Sequence, residues 1–147
     1  MLQTARTLIV ALLALLTLGP FTAQARDNAV DEALVILSSA SQQTQGMAMV
    51  LANAMAQQGA KVHVLLCDRA GDLALKDDQA EPMKPRNVTP GQLLRALLDK
   101  GGSARVCALY LPNSEHTPAD LIEGVSVAMP PEIAGQMLNP DIPTFTF

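Results

Sequence analysis

Short, wholly apolar runs alternating with helix-patterned stretches constrain this chain more than any other feature. Residues 33–37 read A-L-V-I-L and stop at Ser38 and Ser39. A strand without polar alternation has no solvent face, the mark of a parallel sheet covered on both sides. This run is expected to be the first strand, in the sheet's interior. Apolar residues then recur at Met47, Val50, Leu51, Ala54 and Met55, the spacing of one helix face, and Gly59 supplies the stop. A second apolar strand covers 61–66 with His63 inside it, and Cys67, Asp68 and Arg69 follow at its carboxyl end. Parallel neighbours need a right-handed crossover between them. The expected fold is therefore one three-layer α/β/α domain, with a mostly parallel sheet of four or five strands in flavodoxin-like order.

The pattern continues to the end of the chain. Residues 71–87 mix Asp72, Asp77, Asp78 and Glu81 with Pro82 and Pro85, and read as an exposed, mobile excursion. Thr89 is placed to cap a helix, Pro90 suits its first position, and Gln92 completes a capping box; Leu93, Leu94, Leu97 and Leu98 form its apolar stripe. Gly101 and Gly102 end it. A third strand is expected at 105–111 (R-V-C-A-L-Y-L), turning out at Pro112, Asn113 and Ser114. Thr117 and Pro118 open a short helix that Gly124 stops, and 125–129 make a fourth strand. A helical turn over 132–138 follows Pro130 and Pro131, and 142–147 alternate as a last strand.

Ahead of this domain, Arg6, the apolar run 8–18, the breakers Gly19 and Pro20, and Ala23-Gln24-Ala25 have the three-part layout of a secretory signal peptide. Cleavage is expected after Ala25, leaving 26–147 as one exported domain in the periplasm. The run falls short of the roughly 20 apolar residues that a spanning helix needs, so no stable membrane insertion is expected. The full chain carries a net charge of −4, and Arg6 is the only charged residue within 1–25. An acidic domain with no basic cluster and no Trp argues against nucleic acid as a partner.

In open parallel sheets, ligands gather beyond the carboxyl ends of the strands, near the reversal of strand order. Three segments should converge there: 38–45, 67–69, and the turn with Asn113, Ser114, Glu115 and His116. Ser39, Ser41 and Thr44 stand before or within the first turn of a helix whose free amides suit an anion. Ordinary capping of that helix accounts for the same residues. Asn113 and Ser114 are the other candidate binding residues, and His116 is either a general base or a solvated loop histidine. His63, inside an apolar strand, reads as a hydrogen-bonded core residue. The methionines form no compact set with the histidines or cysteines, so neither a metal nor another cofactor is expected.

Cys67 and Cys107 are the only cysteines. An oxidising compartment permits their pairing. In flavodoxin-like order, however, the first strand would separate them by two steps of about 4.8 Å, beyond the roughly 7 Å reach of a disulfide. Cys107 has two readings from the residues alone. If its strand runs on to Leu111, the thiol is a small core residue; if the strand ends at the cysteine, the thiol stands at the ligand-collecting edge. Cys67 reads as a packing residue or as a second, helping thiol.

Val106-Cys107-Ala108-Leu109-Tyr110, Leu121-Ile122-Glu123-Gly124-Val125, the stretch 129–133 and the closing Thr144-Phe145-Thr146-Phe147 resemble the C-terminal half of the DsrE/DsrF-like family. That family includes the TusD-type subunits of bacterial sulfur-relay complexes, and the N-terminal half of this chain agrees with it in layout. The resemblance implies a sulfur carrier or sulfurtransferase in which Cys107 holds sulfane sulfur as a persulfide. A sulfur donor or acceptor protein, or a small thiol, would be the partner, and the chain would assemble as a homo-oligomer. A thiolate suits the task because its sulfur accepts and releases another sulfur by exchange. Tyr110 stands where some members carry a second cysteine, and no cation adjoins Cys107 in sequence. The competing expectation is a non-catalytic binding or assembly module of the same fold, with buried or oxidised cysteines.

Overall fold

Five parallel strands carry the fold in the computed structural model, which describes residues 30–147. The export segment read at 1–25 lies outside these residues. The strands are β1 (Glu32–Leu37), β2 (Lys61–Leu66), β3 (Ser103–Val106), β4 (Val125–Val127) and β5 (Thr144–Thr146), in the spatial order β4-β3-β2-β1-β5. Three helices connect them: α1 (Gln42–Gln57), α2 (Pro90–Leu98) and α3 (Pro130–Leu138). β1 is interior, between β2 and β5, as its apolar run requires.

Local signals start the first two helices. The Ser41 hydroxyl accepts from the Thr44 amide at 3.4 Å at the head of α1. Thr89 and Gln92 exchange side-chain and backbone bonds at 3.1 and 2.9 Å, so the expected capping box is formed and Pro90 sits just inside α2. Gly59 and Gly101 take positive φ just beyond the ends of α1 and α2, where a side chain would be strained.

The strand order departs from the flavodoxin-like expectation, and the placement of the helices explains why. Right-handed crossovers that advance across the sheet in one direction keep their connections on one face. Val35, Leu37, Val62, Val64, Leu66, Ala104 and Val106 pack with Met49, Ala52, Leu94 and Leu97 in one core, so α1 and α2 lie on the same face. Leu121 and Ile122, from the β3–β4 connection, join that core. The chain therefore steps β1, β2, β3, β4 in a single direction. Among the described residues only α3 covers the other face, in a small cluster of Leu34, Leu65, Ala128 and Ile133, and it carries the chain back to the free side of β1.

Asn53, buried in α1, ties the two helices of the main face together. Its Nδ2 donates to the Met49 and Leu93 carbonyls, both at 2.9 Å, and its Oδ1 accepts from Lys100 Nζ at 3.0 Å. The segment read as an excursion at 71–87 is in part core. Gly71, Leu73, Ala74 and Leu75 are buried, Leu75 bridges Leu121, and Ile122 donates to the Ala74 carbonyl at 2.8 Å. Two apolar residues and an alanine among acidic neighbours lack periodicity, and it is the crossover above them that buries them. Positions 81, 82 and 84–87 are exposed as expected. Among the described residues, no helix is long and apolar enough to cross a membrane.

Candidate functional site

β2 and β3 are register neighbours that end together, Leu66 opposite Val106, and a cysteine follows each. The Cys67 amide donates to the Leu37 carbonyl at 2.8 Å, and the Cys107 amide donates to the Leu66 carbonyl at 2.7 Å. Both residues are thus held by the ladder although they lie just beyond it. β3 stops at Val106 rather than running to Leu111, because the chain turns immediately: the Tyr110 amide bonds back to the Cys107 carbonyl at 2.9 Å. Cys107 is therefore partly exposed at the carboxyl edge, the second of its two sequence readings.

The adjacency of β2 and β3 overturns the argument that separated the cysteines. With one inter-strand step of about 4.8 Å between their strands instead of two, they stand within the range of Cα separations that a disulfide accepts. Both are free thiols here. They line one cavity of about 610 Å³ together with Asp68, Arg69, Asp72, Tyr110 and His116.

Each wall of the cavity has an identifiable cause. Asp68 takes φ +50, a left-handed turn that Asp tolerates better than most residues, and it starts the turn of 3-10 helix that places Arg69 and Asp72. Arg69 Nη1 lies 3.8 Å from Asp72 Oδ2, and the Tyr110 hydroxyl donates to Asp72 Oδ1 at 2.8 Å. Burial, then the bond to Asp72, push the Tyr110 phenol well above its ordinary range, so it stays a neutral donor. Its ring stacks on His116, with centroids 6.4 Å apart and planes 18° apart. The ring also lies directly over Gly71, where a Cβ would overlap Tyr110 Cδ2 and Cε2. Arg69, from the neighbouring strand's end, brings a cation to the wall of the cavity that Cys107 lines.

The Cys67 thiol is pushed up from 9.0 to about 11, first by burial, then by the charge and thiol of Cys107 beside it, and last by Asp68. Cys67 is consequently a protonated thiol at neutral pH.

The remaining candidates separate. Asn113, Ser114 and His116 line the cavity. Ser39, Ser41 and Thr44 do not; they cap and begin α1, with Ser39 Oγ accepting from the Ser41 amide at 3.1 Å. They stand after β1, one strand over, and the thiol cavity forms between the ends of β2 and β3 rather than where the strand order reverses. His63 is the hydrogen-bonded residue it was expected to be, between Ser103 Oγ at 2.7 Å and Glu32 Oε2 at 3.0 Å. Asp72 and Tyr110 were not legible as site residues. Arg69 and Asp72 at i and i+3 were the available signal, and it is indistinct from a solvated pair. Among the described residues, no group of three or more His, Cys, Asp or Glu is placed to hold a metal.

No protein-family model and no curated protein matches the sequence. Solved structures do match in fold. The ychN protein from E. coli superposes with a TM-score of 0.64 at 21% identity, over 79% of this chain and 99% of that one. A protein of unknown function from Methanobacterium thermoautotrophicum, MTH1491, gives 0.63 at 14% identity, over 79% and 98%. Both are members of the DsrE/DsrF-like fold family, and this chain has that fold.

Proposed function

We propose that this chain uses its DsrE/DsrF-like fold to carry sulfane sulfur as a persulfide on Cys107. The observation that carries the reading is the early end of β3, which leaves the Cys107 thiol partly exposed in a cavity shared with Arg69 and His116. Sulfur transfer needs an accessible thiolate and a favourable field for the anion it forms. In the loading step, the Cys107 thiolate attacks the terminal sulfur of a donor persulfide. A bond forms between Cys107 Sγ and that sulfur, the donor's S–S bond breaks, and the donor departs as a thiolate. Unloading is the same exchange with an acceptor thiol. In this reading Arg69 and His116, on the wall of the same cavity, are the groups assigned to stabilise the anion and to exchange protons with solvent.

Export and self-assembly belong to the same reading. Cleavage after Ala25 would deliver residues 26–147 to the periplasm. Copies of the chain would meet through α3, where Met129 at its head and Met137 and Leu138 at its end are exposed.

Mass spectrometry of the folded chain after incubation with inorganic polysulfide tests the carrier step. The expected result is one added sulfur atom on Cys107, absent from Cys107→Ser. A chain that alkylates readily at Cys107 but never gains sulfur would overturn the reading in favour of a binding module. Intact mass of secreted material, expected to begin at Arg26, tests the export step, and light scattering tests self-assembly.

A further inference from the structure

The carrier step uses one thiol, yet the fold holds two against each other. Cys67 and Cys107 follow the register pair Leu66 and Val106 on adjacent strands, and their amides are fixed by ladder bonds of 2.8 and 2.7 Å. Cys67 packs against the cluster of the α3 face and Cys107 against the main core, yet the Cys107 thiol is close enough to Cys67 to help hold its proton on. Both line the same cavity, and both are free. A disulfide accepts Cα atoms about 4.4–6.8 Å apart, and neighbouring strands of a sheet are spaced about 4.8 Å apart.

We infer that Cys67 is the resolving thiol of this site, discharging a persulfide on Cys107 as sulfide by closing a Cys67–Cys107 disulfide. This rests on the carrier reading and adds the fate of sulfur that meets no acceptor. The step balances without an external oxidant. Cys67 loses its proton to solvent and its Sγ bonds to Cys107 Sγ; the bond from Cys107 Sγ to the sulfane sulfur breaks, and that sulfur leaves with the electron pair as hydrosulfide. The Cys67 sulfur is oxidised to the disulfide level, which the Cys107 sulfur already holds in the persulfide, while the sulfane sulfur is reduced to sulfide. A dithiol reductant then restores both thiols, releasing its own disulfide. The high proton affinity of Cys67 makes resolution slow at neutral pH, which leaves time for hand-off to an acceptor.

The test loads the full chain with inorganic polysulfide, removes the excess, and follows trapped sulfide and non-reduced peptides over time. Wild type should release about one sulfide per loaded Cys107 while the Cys67–Cys107 cross-linked peptide appears. Cys67→Ser should hold its sulfur on Cys107 at least ~10-fold longer, because the neighbouring nucleophile is gone. Wild type that holds the adduct as long as Cys67→Ser, with no cross-linked peptide, overturns the inference and leaves the carrier reading standing. No adduct on Cys67→Ser overturns the carrier reading and this inference with it. Diamide, which needs no sulfur donor, should form the same cross-link in the folded wild-type chain. Its failure to do so while both thiols remain alkylatable overturns the inference independently.

Discussion

Removing Cys107 should make Cys67 more reactive, and the size of the effect can be worked from the site. Cys67 is raised from 9.0 to about 11 by burial first, then by Cys107, then by Asp68. At pH 8 a thiol of pKa 9.0 is about one-tenth thiolate, and one near 11 about one-thousandth, a difference of roughly 100-fold. A more basic thiolate is also more nucleophilic, with a Brønsted slope of about 0.4–0.5, which returns roughly 6–10-fold. Native Cys67 should therefore alkylate about 10–20 times more slowly than an ordinary exposed cysteine. Cys107→Ala removes the neighbouring charge and the thiol contact, and leaves burial in place. The rate at Cys67 should rise a few-fold without reaching the rate of the unfolded chain. In wild type the rate should climb with pH up to about 11, since the raised value keeps the proton on at lower pH. Iodoacetamide labelling of the native chain, quenched at intervals and read by peptide mass spectrometry, measures this directly. If native Cys67 reacts at pH 8 as fast as in denaturant, or if Cys107→Ala leaves its rate unchanged, the thiols do not interact as described.

The cavity wall and the helix pair behind it can be probed by substitution as well. Gly71→Ala should cost about 1–3 kcal/mol in urea unfolding, because the new methyl group overlaps the Tyr110 ring and the ring must move off His116. Tyr110→Phe keeps the ring but loses the 2.8 Å bond to Asp72, and should cost about 1 kcal/mol in the same assay. Asn53→Ala strands the Leu93 carbonyl and Lys100 at the α1–α2 contact, and should lower stability by about 1–3 kcal/mol, seen as a lower urea midpoint.

Much of this chain's structure follows from chemistry local in the sequence. The apolar runs of β1 and β2, the Thr89-Pro90-Gln92 start of α2, and the glycines after α1 and α2 act within a few residues, so their outcome is readable from spacing alone. The parallel sheet and the interior place of β1 follow from the same runs, because a strand with no polar face needs cover on both sides. Strand order was decided elsewhere. A right-handed crossover satisfies local rules on either side of β1, and only the joint packing of α1, α2 and the 121–122 turn on one face sends β3 next to β2. That choice brings Cys67 and Cys107 together across a separation of forty residues and puts Arg69 on the wall of the cavity they share. It also buries Leu73 and Leu75, which carry no periodic signal of their own. The apolar runs of β1 and β2, the caps of α1 and α2 and the chemistry of each side chain were legible in the sequence, since these depend on neighbours along the chain. Which of those side chains share a cavity was left to the tertiary structure, because contacts between strand ends are set by the order of the strands.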